Sequence, residues 1–145
     1  MKRVISFDID GVLVDASERL RMCIKDNKVD WDCFLDCNKL PLDKPKPRII
    51  EYLNFIRDRG FGVIIVTGRR ESMRDCTIRQ LRAFGISNID GIFMRPDDNT
   101  EPDPIYKAWM MRNLVRRLNV MAHFDDNPDT VHALLSIGID AVLIS

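Results

Sequence analysis

The 145-residue chain has no excess of charge of either sign: 22 Lys and Arg balance 22 Asp and Glu. Net charge therefore points to no nucleic acid, membrane or acidic ligand, and such a partner has to be argued from local patches. Long hydrophobic runs are also missing. The longest strongly apolar stretch, Phe61 to Val66, already contains a glycine and is far too short to span a bilayer. The apolar stretch after Arg3 stops at Asp8, too early for a signal-peptide core, so a cytoplasmic protein without membrane contact is expected. Only two histidines occur, His123 and His132, and the four cysteines (Cys23, Cys33, Cys37, Cys76) form no CxxC, which argues against a zinc site. Cys33 and Cys37 stand one helical turn apart and read as small buried side chains. Free thiols in a reducing compartment are expected. No GxxxxGK[ST] loop occurs, so ATP-dependent phosphorylation is not expected.

What is present is ordinary for a globular protein: 46% apolar and 30% charged residues, enough for one hydrophobic core. Short apolar runs at 3–7, 62–66, 91–94, 120–124 and 141–144 read as strands. Between them, helical spacing appears at Ile49, Ile50, Leu53 and Ile56, over residues 70–84, over 105–118, and after the Asn127-Pro128 start signal. The segment Asp15 to Lys46 fits no strand; short helices are expected around Leu20 to Ile24 and Trp31 to Asp36. Strands alternating with helices predict an α/β fold, with five parallel strands covered by helices on both faces. In such sheets ligands bind beyond the carboxyl ends of the strands.

Three polar clusters fall at those ends: Asp8 to Asp10, Thr67 to Arg69, and Asp125 with Asp126. Two like charges about 4 Å apart repel by roughly 4 kcal/mol at an effective dielectric near 20, so carboxylates gathered from two strand ends need a cation. Oxygen-only ligation favours a hard ion, and Mg²⁺ with retained waters fits best. Lys107 shares a helix face with Met110, Met111, Leu114 and Leu118, so its ammonium heads an apolar stripe and needs a charged partner. It can bind a phosphate oxygen and keep an aspartate ionised. Thr67-Gly68-Arg69, with a hydroxyl, free backbone N–H groups and a helix start behind them, makes a seat for an anion.

In this order the parts resemble the haloacid dehalogenase (HAD) superfamily of phosphohydrolases: Asp8-Ile9-Asp10-Gly11-Val12, then Thr67, then Lys107, then Asp125-Asp126. The resemblance implies a single Rossmannoid domain over residues 1–145 with minimal cap, the small helical insert 16–45 lying near the active site. It implies that Asp8 attacks phosphorus, that Asp10 protonates the leaving oxygen and later activates water, and that Lys107 and Asp125 complete the catalytic set. Mg²⁺ would be held by Asp8, the Asp10 backbone carbonyl and Asp126, with Asp125 ligating through water or holding Lys107. An acid two residues after the nucleophile suits a phosphatase rather than a dehalogenase or an ATPase.

Finer features resemble the 3′-phosphatase domain of polynucleotide kinase and its small stand-alone relatives: Thr67-Gly68-Arg69, Met94-Arg95-Pro96, the approach from Asp103 to Lys107, Trp31-Asp32-x-Phe34, and Arg19 eleven residues after Asp8. Asn127 and Arg70 depart from that pattern. The implied substrate is a 3′-phosphorylated nucleic-acid end, bound by Gly11, Arg19, Thr67, Gly68, Arg69 and Lys107, by a monomer without an obligate protein partner. A nucleotide or other small phosphomonoester is the alternative, and a catalytically silent binding module a further one. Arg70, Arg74 and Arg95 are the nearest further cations, and Trp31 and Phe34 are read as packing in a small core.

Overall fold

The computed structural model describes residues 2–145. Five parallel strands form the central sheet: β1 (Arg3–Phe7), β2 (Gly62–Arg70), β3 (Gly91–Arg95), β4 (Asn119–Asp125) and β5 (Ala141–Leu143), in the order β3-β2-β1-β4-β5. Six α-helices connect them: α1 (Ser17–Met22), α2 (Trp31–Phe34), α3 (Pro47–Asp58), α4 (Arg74–Ala83), α5 (Asp103–Val115) and α6 (Pro128–Ser136). The α/β prediction holds.

The strands are apolar on both sides, and alternate side chains feed two separate cores. Ile5, Phe7, Val63 and Ile65 pack with Ile50, Leu53 and Ile56 of α3 and Leu81 of α4. Val4, Ile64 and Val66 pack with Met111 and Leu114 of α5 and Leu134 of α6. The chain first steps from β1 to β2 and β3 on one side, then returns to β4 and β5 on the other. The order therefore reverses between β1 and β4, and the crevice of a doubly wound sheet opens beyond the ends of those two strands.

The insert departs from expectation in three ways. First, it does contain short strands: Val14–Asp15 pairs with Lys44–Pro45, and Ile24–Lys25 pairs with Lys28–Val29. The second pair closes over Asp26 and Asn27, both with left-handed φ (52° and 63°), residue types that tolerate that region. Two-residue strands are too short to show an alternating pattern. Second, the thiols are not free: Cys23 pairs with Cys33 and Cys37 with Cys76, at Cα separations of 5.5 and 5.9 Å. Helix α2 ends at Phe34, so Cys33 and Cys37 share no helical turn and turn to different partners. The bridges staple an insert whose own apolar clusters are small, and cysteine usage no longer argues for a reducing compartment. Third, Trp31 is 57% exposed, and only Phe34 packs inward, at 8%.

No helix among the described residues is long and apolar enough to cross a membrane.

Candidate active site

β1 and β4 carry the same pattern at their carboxyl ends, polar–Phe–Asp, side by side and in register: Ser6 opposite His123 and Phe7 opposite Phe124. The two rings meet edge to face, 5.0 Å apart, on the α3 side of the sheet. Period-two alternation sends Ser6, Asp8, His123 and Asp125 to the opposite side, beneath the first turn of α5. A backbone hydrogen bond from the Asp8 N–H to the Phe124 carbonyl, 2.9 Å, extends the pairing to Asp8.

Lys107 enters this group from α5. Its ammonium lies 2.9 Å from Asp8 Oδ2, 2.7 Å from Asp125 Oδ2 and 4.0 Å from Asp103 Oδ2, and the side chain is fully buried. Burial alone would lower its pKa, but the charges of Asp8, Asp125 and Asp103 outweigh burial and raise it, so the ammonium is permanently charged. Asp8 is driven the other way. Burial and the charge of Asp125 raise its pKa well above the carboxylate range, against the pull of Lys107. Asp125 starts from the same burial penalty, yet hydrogen bonds and charge from His123 and Lys107 bring it to about 2. Burial and the neighbouring Asp125 lift Asp126 to about 6, even though it opens to solvent on one side.

One carboxylate oxygen from each of Asp8, Asp125 and Asp126 lies within 4.8 Å of the others. Three acids, two of them with raised pKa, form a site where negative charge exceeds what Lys107 neutralises. All its donors are oxygen, so the set fits a hard divalent cation. The Asp126 carboxylate packs directly onto Gly11, where no side chain would fit, and so reaches the other two acids.

Asp10 faces elsewhere. Its carboxylate takes Arg69 Nε and Nη2 (3.1 and 2.8 Å) and Arg19 Nη2 (2.6 Å). Burial raises its pKa, but the charge and hydrogen bonds of Arg69, then those of Arg19, win and set it at about 2. Any share in ligation by Asp10 is therefore left to its backbone carbonyl.

Arg19 was expected to meet substrate; the structure buries it completely. Its donors go to Asp43 (2.9 and 2.9 Å), the Phe34 carbonyl (2.7 Å) and Asp10, and its plane covers the Phe34 ring at 4.1 Å. Arg69 is likewise 1% exposed and divided between Asp10 and Thr77. Both arginines thus act on Asp10 rather than facing solvent, because the insert supplies Asp43 beneath them, itself held by Gln80 at 2.8 Å. Thr67 is buried with its hydroxyl accepting the Arg69 N–H at 3.1 Å. Arg70, Arg74 and Arg95 are also committed, to Asp32, Glu71 and Asp103 respectively.

Asp103, Asp43 and His123 were not picked out from sequence as members of the site. Asp103 carried a readable signal, since it stands four residues before Lys107 on one helix face. It closes against Gly68 and is gripped by Arg95, which also ties down the Gly68 and Glu101 carbonyls (3.2 and 2.7 Å). His123 stands two before Asp125 on one strand face. Asp43 had no local signal.

The family model for the polynucleotide kinase PNKP phosphatase domain matches residues 2–145. No curated protein matches the chain. Among solved structures, a chain of the Pnkp1/Rnl/Hen1 complex is similar with TM-score 0.78 and 18% identity, over 99% of this chain and 46% of that one. A class C acid phosphatase from Bacillus anthracis follows at TM-score 0.70 and 16% identity, covering 99% of this chain and 66% of that one. A haloacid dehalogenase-like hydrolase from Streptococcus pneumoniae matches at TM-score 0.68 and 15% identity, over 99% and 85%. The chain thus spans less than half the length of its counterpart in the Pnkp1/Rnl/Hen1 complex.

Proposed function

The chain belongs to the family of polynucleotide kinase PNKP phosphatase domains, within the haloacid dehalogenase-type phosphatases, and from that premise we propose that it is a Mg²⁺-dependent phosphomonoesterase releasing 3′-phosphates from nucleic-acid ends. One observation carries the chemistry: Asp8, at the switch point of the sheet, shares a single pocket with Asp125, Asp126 and the buried Lys107 ammonium.

In this reading Asp8 attacks phosphorus, a P–O bond forms to its carboxylate, and the ester P–O bond to the leaving alcohol breaks. Asp10 gives that alkoxide its proton. Water then attacks the aspartyl-phosphate, Asp10 takes its proton, the P–O bond to Asp8 breaks, and inorganic phosphate leaves. Splitting the displacement in two replaces one high barrier by two lower ones. The guanidiniums of Arg19 and Arg69 fix the direction of Asp10 and favour its ionised form, the form the water-activating half requires. The negative charge of an arriving phosphate works against them and lets Asp10 hold the proton for the first half. Lys107 presents fixed positive charge beside the nucleophile, and the Thr67 hydroxyl, which accepts the Arg69 N–H, keeps its own O–H to donate to a phosphate oxygen. Asp8, Asp126 and the Asp10 carbonyl would hold Mg²⁺, while Asp125 is occupied with Lys107. When bound, the ion neutralises charge on the transferring phosphoryl group.

The choice of a nucleic-acid end rests on the family and on the short insert, which leaves Asp126 open to solvent and so suits the end of a polymer. That one structural neighbour belongs to the Pnkp1/Rnl/Hen1 RNA repair complex agrees with it. All groups of the proposed site come from one chain, so the proposed chemistry requires no second subunit to complete it.

The test is phosphate release from a 3′-phosphorylated oligodeoxynucleotide and from nucleoside monophosphates, with Mg²⁺ or with EDTA, and with Asp8→Asn as control. Metal-dependent release that favours the oligonucleotide supports the proposal. Faster release from mononucleotides keeps the mechanism and overturns the substrate. No release from any phosphomonoester overturns both.

A further inference from the structure

We propose that His123 is a positioning residue: through Asp125 it fixes the Lys107 ammonium against the Asp8 nucleophile. The inference rests on the phosphatase reading, and its test includes a measurement independent of turnover.

His123 is completely buried, and its ring spans two polar partners, Ser6 Oγ at 2.7 Å from Nδ1 and Asp125 Oδ2 at 2.8 Å from Nε2. For a neutral ring the proton inventory has one solution. Asp125 Oδ2 also accepts Lys107 Nζ at 2.7 Å, so it is a carboxylate oxygen and needs a donor from the imidazole. Nε2 therefore carries the hydrogen, Nδ1 is left as acceptor, and the Ser6 hydroxyl donates to it. The other tautomer would set a lone pair against the carboxylate at 2.8 Å. Every polar atom of the line from Ser6 through His123, Asp125 and Lys107 to Asp8 is then paired without a net charge on the ring.

The geometry shows what the imidazole adds. Asp125 Oδ1 accepts the Asn127 N–H at 3.0 Å, so the carboxylate is held at both oxygens, and Oδ2 faces Lys107 with two donors converging on it. Without the imidazole, Oδ2 loses the one donor it has besides the ammonium among the described residues, and Lys107, already divided between Asp8 and Asp125, is drawn toward Asp125. A side chain needed only for packing at this level would be apolar, as Phe124 is on the other face. Second-layer groups that orient a site carboxylate typically alter rates by about 10- to 100-fold when removed.

The test compares wild type with His123→Leu, His123→Gln and Ser6→Ala. Activity is read on a 3′-phosphorylated oligonucleotide and on p-nitrophenyl phosphate, with melting temperatures alongside. Separately, the ¹H and ¹⁵N chemical shifts of the Lys107 side-chain ammonium are followed by NMR. His123→Leu should lower kcat by about 10- to 100-fold with KM within about twofold, and should shift the Lys107 ammonium resonance. His123→Gln, which keeps an N–H donor near the Nε2 position, should recover most of both. Ser6→Ala should shift both in the same direction by a smaller factor, and it decides the matter should His123→Leu fail to fold. Unchanged kcat and an unchanged Lys107 ammonium resonance in folded His123→Leu overturn the proposal, as does an equal loss in His123→Leu and His123→Gln. If wild type hydrolyses nothing, the phosphatase reading falls, and the Lys107 ammonium resonance alone still confirms or overturns the positioning role.

Discussion

A β-carbon on Gly11 would lie 1.9 Å from Oδ2 of Asp126. Gly11 also sits at φ +85°, where an L side chain costs about 1–2 kcal/mol. The turn after Asp10 is thus shaped to let the open acid of the cluster reach inward. Gly11→Ala is expected to lose about that much stability and to weaken Mg²⁺ binding at least about tenfold, because Asp126 must swing away. Titration calorimetry with Mg²⁺ checks it, and wild-type affinity would contradict it.

Asp8→Asn separates function from stability. If Asp8 is the nucleophile, as proposed, its replacement should lower phosphate release by about a thousandfold or more. The fold should lose nothing, because Asp8 is ionised at a cost: burial and Asp125 raise its pKa, and Lys107 keeps its Asp125 partner. A melting temperature equal to or above wild type is the expected outcome, and a clearly lower one would show that the Asp8–Lys107 pair holds the fold.

Lys107→Met should do the opposite. It leaves the carboxylates of Asp8 and Asp125 facing each other without their shared cation, and breaking such a buried pair costs about 3–5 kcal/mol. Without the ammonium both acids take up protons more readily in the folded state than in the unfolded one. The deficit should accordingly be large at pH 8 and smaller at pH 5. Urea melts at the two pH values measure the difference.

Asp126 titrates near 6 in the folded protein, above its ordinary value of 3.8, because burial and Asp125 oppose its charge. A carboxyl with a raised folded pKa contributes stability that is complete below about pH 4 and lost as pH rises through about 6. Mg²⁺ competes with that proton. The gain in melting temperature on adding Mg²⁺ should therefore be larger at pH 7.5 than at pH 5, and equal gains would exclude Asp126 from the ion's ligands.

Arg19→Lys should reduce kcat rather than raise KM. The guanidinium is fully buried and spends its donors on Asp43, Phe34 and Asp10, a fork that a lysine cannot reproduce. A fall in kcat of about tenfold or more with KM nearly constant is expected from steady-state kinetics. A raised KM with kcat intact would return Arg19 to direct substrate binding.

The sheet was legible because strand and helix periods are local signals. Apolar runs at 3–7 and 62–66 and the stripe from Lys107 to Leu114 needed only near neighbours to be read. The strand ends at Asp8, Thr67 and Asp125 then put those side chains at one edge of the sheet, and the need of buried Lys107 for an anion drew it to the same place. Asp103 was within reach of the same reasoning, one turn before Lys107.

Other features depend on which distant residue comes to lie opposite. Nothing near Arg19 in the chain announces Asp43, 24 residues away, or a ring of Phe34 to cover it. The disulfides follow the same rule, Cys37 meeting Cys76 across 39 residues. His123 looks like one more strand residue until the β1–β4 register sets Ser6 opposite it. By itself the sequence determined the elements, their alternation and the acids at the strand ends, because backbone hydrogen bonding and the burial of apolar faces act over a few residues. Only the tertiary structure decided which charge answers which, because a buried ion or hydroxyl must take whatever partner the packing of remote segments brings within about 3 Å of it.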